Sequence, residues 1–202
     1  EYNNFMGNSA GQTATTASGS VFIGSTAGGT VTTGNMNIAI GQDAMNGATT
    51  TGNNNIAIGV DSMGFGLTTG RINTAVGEQA LYECTEGYAN TAVGYYAGKN
   101  LTDGDLNTFL GNYAAFAATT VREAVVIGHA AGNGVMTSDA NGTVAVGAVA
   151  LNSITSGQYN VAVGYYAMED ETLGDRSTAI GYKALLNQNG INGEVHNTAV
   201  GY

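Results

Sequence analysis

The sequence predicts an all-β protein, a parallel β-solenoid of about 11 to 12 coils of 17 to 20 residues, and three observations carry that prediction. A glycine preceded by an aliphatic residue or Met recurs at Gly7, Gly24, Gly41, Gly59, Gly77, Gly94, Gly111, Gly128, Gly147, Gly164, Gly181 and Gly201. The residues before it form runs such as Asn90-Thr91-Ala92-Val93, which are too short for a helix, rich in β-branched residues and bounded by turn signals. The composition suits neither a helical nor a doubly wound core: of 202 residues 32 are Gly and none is Pro or Trp, and only 10% are charged, where about 25% is typical. The repeat runs from end to end without a linker, so residues 1–202 form one array, expected to be a segment of a longer fibre protein.

Aligned on the repeat glycine, each column states a physical requirement. Nine residues before it lie Thr15, Thr32, Thr50, Thr68, Thr85, Thr102, Thr119, Ser138, Thr155 and Thr172, whose hydroxyls suit the backbone groups of a turn. A second glycine often follows, as at Gly34, Gly52, Gly70, Gly87, Gly104, Gly157 and Gly174. Length variation falls just before the Thr column, in turn dipeptides such as Asn46-Gly47 and Asn133-Gly134. Four residues before the glycine Asn dominates, at Asn3, Asn37, Asn55, Asn73, Asn90, Asn107, Asn160 and Asn197; stacked one strand apart, these amides are expected to form a hydrogen-bonded ladder. Three residues after it Ala prevails, as at Ala27, Ala44 and Ala80, the mark of a tight second wall.

The two residues just before the glycine are both apolar, and in a strand they point to opposite faces. The nearer column, Met6, Ile23, Ile40, Ile58, Val76, Val93, Leu110, Ile127, Val146, Val163, Ile180 and Val200, is assigned to the core. The other, Phe5, Phe22, Ala39, Ala57, Ala75, Ala92, Phe109, Val126, Ala145, Ala162, Ala179 and Ala199, is then expected to face outward as an oligomer interface. Its small residues would let backbones approach around a symmetry axis, in a parallel homotrimer. The opposite assignment, with the Ala column lining a narrow core and its neighbour facing out, stays open at this point.

Charge narrows the function classes. The net charge is −10, and Arg71, Lys99, Arg122, Arg176 and Lys183 are the only basic side chains besides two histidines. Five scattered cations make no stripe for a phosphate backbone, so nucleic acid is not expected as a partner. No apolar stretch reaches the length of a membrane span, and Cys84 has no cysteine partner in the chain. His129 and His196 lie in different coils at different registers, so neither a zinc site nor a nucleophilic triad is expected. Glu169-Asp170-Glu171 and the pair Asp103 and Asp105 read as solvated turns. No catalytic residue, cofactor or metal is expected, and the chain does not read as an enzyme.

The motif Asn-Thr-Ala-Val-Gly-Tyr-x-Ala-Leu followed by Thr-x-Gly, clearest in Asn90 to Gly98, Asn160 to Met168 and Ser177 to Leu185, resembles the head repeats of trimeric autotransporter adhesins. It is similar above all to the longer repeats of bacteriophage tail fibres. That resemblance implies a left-handed parallel β-roll assembled as a homotrimer, outside the cell, in a virion tail fibre or on a bacterial surface. It implies flanking fibre, baseplate or anchor domains as partners, and a cell-surface glycan or protein as receptor. The coils are longer than the usual adhesin head repeat. The best candidates for receptor contact are Tyr95, Tyr96, Tyr113, Tyr165, Tyr166 and Tyr182, just after the repeat glycine, because aromatics with a polar tip stack on sugar rings. Their alternative role is packing between coils. The competing function is an independent ligand-binding or ice-binding solenoid; ice binding would want a flat array two threonines wide, and only Thr13-Thr15 and Thr30-Thr32 have that spacing in the Thr column.

Overall fold

The structure, a computed structural model, describes residues 2–47, 50–65, 69–189 and 193–202. Each repeat contributes one three-residue strand, and the rest of the coil is built of turns. The strands are β1 (Asn4–Met6), β2 (Val21–Ile23), β3 (Ile38–Ile40), β4 (Ile56–Ile58), β5 (Thr74–Val76), β6 (Thr91–Val93), β7 (Thr108–Leu110), β8 (Val125–Ile127), β9 (Val144–Val146), β10 (Val161–Val163), β12 (Thr178–Ile180) and β14 (Thr198–Val200). They form one parallel 12-stranded sheet in chain order, each residue opposite its equivalent one coil on, as in Ala75 opposite Ala92. Two short strands, β11 (Gly174–Asp175) and β13 (Gly193–Glu194), pair separately. The long repeat between Gly128 and Gly147 absorbs its extra residues in a 3-10 turn, Ser138–Ala140.

Coils of this size turn their corners in left-handed backbone. In the coil around Gly94, Ala89, Tyr96 and Gly98 have φ of 53°, 59° and 58°. Even β-branched residues take such corners: Ile72 has φ 59° and Val149 φ 61°, where such side chains are rarely found. Hydrogen bonds to the preceding coil hold them there, Ile72 N–H to the Asn53 carbonyl at 3.1 Å and Val149 N–H to the His129 carbonyl at 2.9 Å.

The Asn column forms the expected ladder, and the structure adds why two glycines accompany it. Asn90 Nδ2 donates to the Gly104 carbonyl at 2.7 Å, and its Oδ1 accepts the Asn107 N–H at 3.0 Å and Asn107 Nδ2 at 2.9 Å. Asn55, Asn73 and Asn107 repeat the pattern, all in full burial or nearly so. A Cβ on Gly87 would stand 2.9 Å from Asn90 Nδ2 and 2.8 Å from the Gly104 oxygen, so the second glycine clears the amide's path. The repeat glycine has a different duty: Gly94, at φ +139°, would place a Cβ 2.4 Å from the Gly111 oxygen. The threonine hydroxyls serve the turn, Thr15, Thr102 and Thr155 donating to the carbonyl of the equivalent residue one coil on. In the long coil Thr137, not Ser138, takes that place, its hydroxyl donating to the Thr155 carbonyl at 3.4 Å. Thr68 lies outside the described residues.

The two apolar strand columns are the reverse of the assignment made from the sequence. Phe22, Ala39, Ala57, Ala75, Ala92, Phe109, Val126, Ala145, Ala162 and Ala179 are all fully buried inside the single chain. Phe5 and Ala199, in the first and last strands, are less covered but hold the same position. From Phe22 to Ala179 the column therefore has no surface to offer a partner, and the expected oligomer interface is corrected. The column assigned to the core lies on the outer face instead, where Ile23, Ile58, Leu110 and Ile180 are exposed.

The physical reason is the width of the coil. The strand centre faces a residue six positions later, and their volumes compensate. Where the strand carries Phe5, Phe22 or Val126, that residue is Gly11, Gly28 or Gly132, and a Cβ on Gly28 would lie 2.6 Å from the Phe22 ring. Where it carries Ala39, Ala57, Ala75, Ala145 or Ala162, the later residue is Met45, Met63, Leu81, Leu151 or Met168, each fully buried. Phe109 pairs with Ala115, and in the one coil with two small residues, Ala92 and Gly98, the ring of Phe109 from the next coil fills the gap, 2.6 Å from a Cβ placed on Gly98. A core of fixed width admits one large side chain per level.

Two predictions follow from this interior. Asn90→Ala strands the Asn107 N–H and the Gly104 carbonyl in a buried site, and should lower unfolding stability by about 2 to 4 kcal/mol, measured by denaturant titration. Burial pushes the Cys84 thiol from 9.0 up to about 12, helped by Asp103 and Asp105 and opposed by a hydrogen bond from Gly87. Between those values the folded thiol keeps its proton and the unfolded one has lost it, so this residue makes stability fall as pH rises above 9 and contributes nothing below it. Native protein at pH 8 should therefore resist alkylation by iodoacetamide and react once unfolded.

Candidate functional site

Two surfaces carry what the fold displays. The first is the outer face of the sheet. Because the strand centre points inward, the residues on either side of it point outward, giving two columns in register along every strand. One column is aliphatic throughout, from Met6 and Ile23 to Ile180 and Val200. The other alternates Val or Ile with Thr: Val21, Ile38, Ile56, Thr74, Thr91, Thr108, Val125, Val144, Val161, Thr178 and Thr198, with Asn4 first. No charged residue stands in either column. At about 4.8 Å per strand the face runs roughly 50 Å, and a width of about 10 Å makes it on the order of 500 Å². That equals the largest apolar patch of an ordinary monomer, and such patches commonly mark interaction sites.

The second surface is aromatic and lies on the turns that leave the strands. The predicted tyrosines fall into two groups. Tyr95 and Tyr96 stack at 3.8 Å between ring centres, and Tyr113 of the next coil meets both edge-on at 5.5 and 5.4 Å. Tyr165 lies 4.1 Å from Tyr166 and 5.9 Å from Tyr182. A hydrogen bond with Tyr96 holds the Tyr95 hydroxyl above its ordinary pKa, with desolvation second, and Tyr166 does the same to Tyr165. The rings pack between coils, and Tyr165 and Tyr182 still meet solvent.

The structure adds residues the sequence analysis passed over. Phe65, Tyr82, Lys99 and Phe116 form a further column on consecutive coils, five or six residues after the repeat glycine. Lys99 Nζ lies 4.5 Å from the Tyr96 ring centre, 5.6 Å from Tyr82 and 5.9 Å from Phe116. Extending the alignment by three positions would have exposed this column. The other cations follow the same habit: Arg71 lies over Tyr88, Arg176 over Tyr159 and Lys183 over Tyr182, whereas Arg122 pairs with Asp105 at 3.2 Å.

The remaining candidates do not converge. His129 is exposed with its ring 6.3 Å from Tyr113, and His196 is exposed in the last coil. Asp105 accepts the Tyr88 N–H at 3.0 Å, and Asp103 accepts from the Thr85 hydroxyl at 3.2 Å. Glu171 departs from the expectation of a solvated turn. It is fully buried, its Oε1 accepts the N–H groups of Thr172, Leu173 and Gly174 at 3.0, 3.1 and 2.7 Å, and Gln188 Nε2 donates to its Oε2 at 2.7 Å. Its column is mostly apolar in other coils, with Val31, Leu101 and Ile154, so the signal was an acid in a largely apolar register. Among the described residues no group of three or more His, Cys, Asp or Glu is placed to hold a metal ion, and these residues form no pocket. No described helix is long and apolar enough to cross a membrane.

No family model matches the chain, and neither a curated protein nor a solved structure matches it.

The reversed strand columns are tested by placing the same side chain at adjacent positions. Ala57→Leu drives three extra carbons into a filled interior and should cost about 1 to 3 kcal/mol or more. Ile58→Leu, on the outer face, should cost less than about 1.5 kcal/mol. A neutral Ala57→Leu in thermal unfolding would place the strand centre outside.

Proposed function

We propose that the chain is a structural segment of an extended fibre, of the phage tail-fibre or bacterial surface-adhesin kind, which supplies rigid length and displays a recognition surface outside the cell. The observation that carries this reading is the uncharged aliphatic face running the full length of the sheet. Water is a poor partner for such a face, and an identical face on a parallel copy has the same length, register and chemistry. The occupant is a second and third copy of the chain, in a parallel homotrimer of left-handed β-rolls. A typical stable interface buries about 800 Å² per partner, so the roughly 500 Å² of the two columns needs the flanking turns as well. The assembly uses the face of the sheet on the other side from the Ala column: Ile23, Ile58, Val93, Leu110 and their neighbours.

One observation favours a second reading. The same face is two residues wide and in register, with one threonine in each of five strands, at Thr74, Thr91, Thr108, Thr178 and Thr198. An independent ice-binding solenoid would use this strand face, one threonine wide, rather than the Thr column of the turns.

Light scattering over a dilution series separates the two. The fibre reading expects a mass of three chains, and expects Ile58→Glu with Val93→Glu to give monomers whose far-ultraviolet circular dichroism is unchanged. A persistent monomer that shapes ice crystals and depresses the freezing point below the melting point would overturn it in favour of the second reading.

A further inference from the structure

The column of Phe65, Tyr82, Lys99 and Phe116 has features that packing between coils does not require. Phe65 is 61% exposed, and its ring lies 5.8 Å from that of Tyr82. Tyr96 and Tyr113 flank the column, Tyr113 lying 5.5 Å from Phe116. Although the chain has 15 acidic residues, no carboxylate among the described residues lies within ion-pair distance of Lys99, whose ammonium sits over aromatic rings instead. Three N–H donors are thus presented at the centre of an aromatic surface with no acceptor assigned to them.

Elimination fixes the class of partner. A polyanion would meet a chain of net charge −10, with Glu83 and Glu78 close by in the preceding coil, and one ammonium does not offset that field. A compact small molecule needs a concave site, and the described residues form none. A peptide added as a strand needs a free sheet edge, whereas the backbone of this column is already bonded from coil to coil, Phe65 N–H to the Tyr82 carbonyl at 3.1 Å and Asn100 N–H to the Phe116 carbonyl at 3.2 Å. What suits a shallow ladder of rings is an extended, uncharged polymer whose units offer flat C–H faces to the rings and hydroxyl oxygens to a donor. Its units should repeat near the coil spacing of about 4.8 Å, which is close to the length of one pyranose ring.

We propose that Phe65, Tyr82, Lys99 and Phe116, with Tyr96 and Tyr113, bind a neutral linear polysaccharide lying along the coil axis, its sugar rings stacked on the aromatic rungs and its hydroxyls accepting hydrogen bonds from Lys99. This assignment deepens the reading of the chain as a display segment and rests on it. It shifts the main glycan contact from the stacked Tyr95 and the Tyr165 group to the neighbouring column.

The test is titration calorimetry of the assembled full chain with cellohexaose, mannohexaose and chitohexaose, and with hexagalacturonate as the acidic comparison. At least one neutral hexamer should bind, with an affinity insensitive to salt. Tyr82→Leu with Phe116→Leu, which keeps apolar volume and removes both rings, should weaken it about five-fold or more, and Lys99→Gln should weaken it while Lys99→Arg retains it. Tyr159→Leu, exposed but off the column, should change nothing. Binding of none of the neutral hexamers at millimolar concentration, preference for the acidic hexamer, or equal loss from Tyr159→Leu overturns the site. Scattering mass measured on the same samples keeps the two ideas apart: a trimer without binding refutes the site alone, and a monomer that binds refutes the fibre assembly alone.

Discussion

The width of the coil interior is the constraint on which the rest of this structure depends. With one strand of three residues per coil, only the central side chain points inward, and it meets the opposite wall almost at once. Ala44 and Ala80 line that wall, and six residues after the strand centre a single position adjusts for what the centre holds. Large and small exchange places between the two positions, Phe22 with Gly28 against Ala75 with Leu81. The adjustable position is itself a left-handed corner, φ 59° at Gly28 and 48° at Leu81, so glycine there relieves strain as well as giving room.

A core this narrow cannot stabilise the chain through bulk alone. The coils are joined along every edge: strand pairing on one side, the buried Asn ladder at the entry to the strand, and threonine hydroxyls at the turn. The repeat glycine and the second glycine follow from the same closeness, because at Gly24, Gly94, Gly52 or Gly157 a Cβ would meet the carbonyl of the next coil. Solenoids of this kind distribute stability as a sum of like interfaces between neighbours. What the interior cannot accept is left outside, and that includes both β-branched columns of the sheet and nearly all the aromatic rings beyond Phe22 and Phe109.

Much of this was legible in the sequence. The repeat, its strand, the Asn ladder and the role of the threonines are all periodic, and periodicity survives any error about a single residue. The direction of the strand was not recovered, because alternation says only that adjacent residues face opposite ways. Both columns are apolar, so hydrophobicity could not break the tie, and the larger aliphatic residues were given the core by default. The information that breaks it was present six residues away: Phe109 beside Ala115 and Ala57 beside Met63 compensate in volume, as only residues sharing one interior must. Glu171 and the Lys99 column were harder to see, since each departs from its register in one coil or a few. An isolated departure has no period to announce it.

The compensation between strand centre and turn is the most direct point of attack. In a double-mutant cycle, Ala75→Phe alone should overpack the coil and Leu81→Gly alone should leave a cavity, while the two together recreate the arrangement of Phe22 with Gly28. The account predicts that the double variant is more stable than Ala75→Phe alone, with a favourable coupling of about 1 to 3 kcal/mol in denaturant unfolding. Additive losses, with no coupling between the two sites, would contradict it, because residues that do not share one narrow interior have no reason to trade volume.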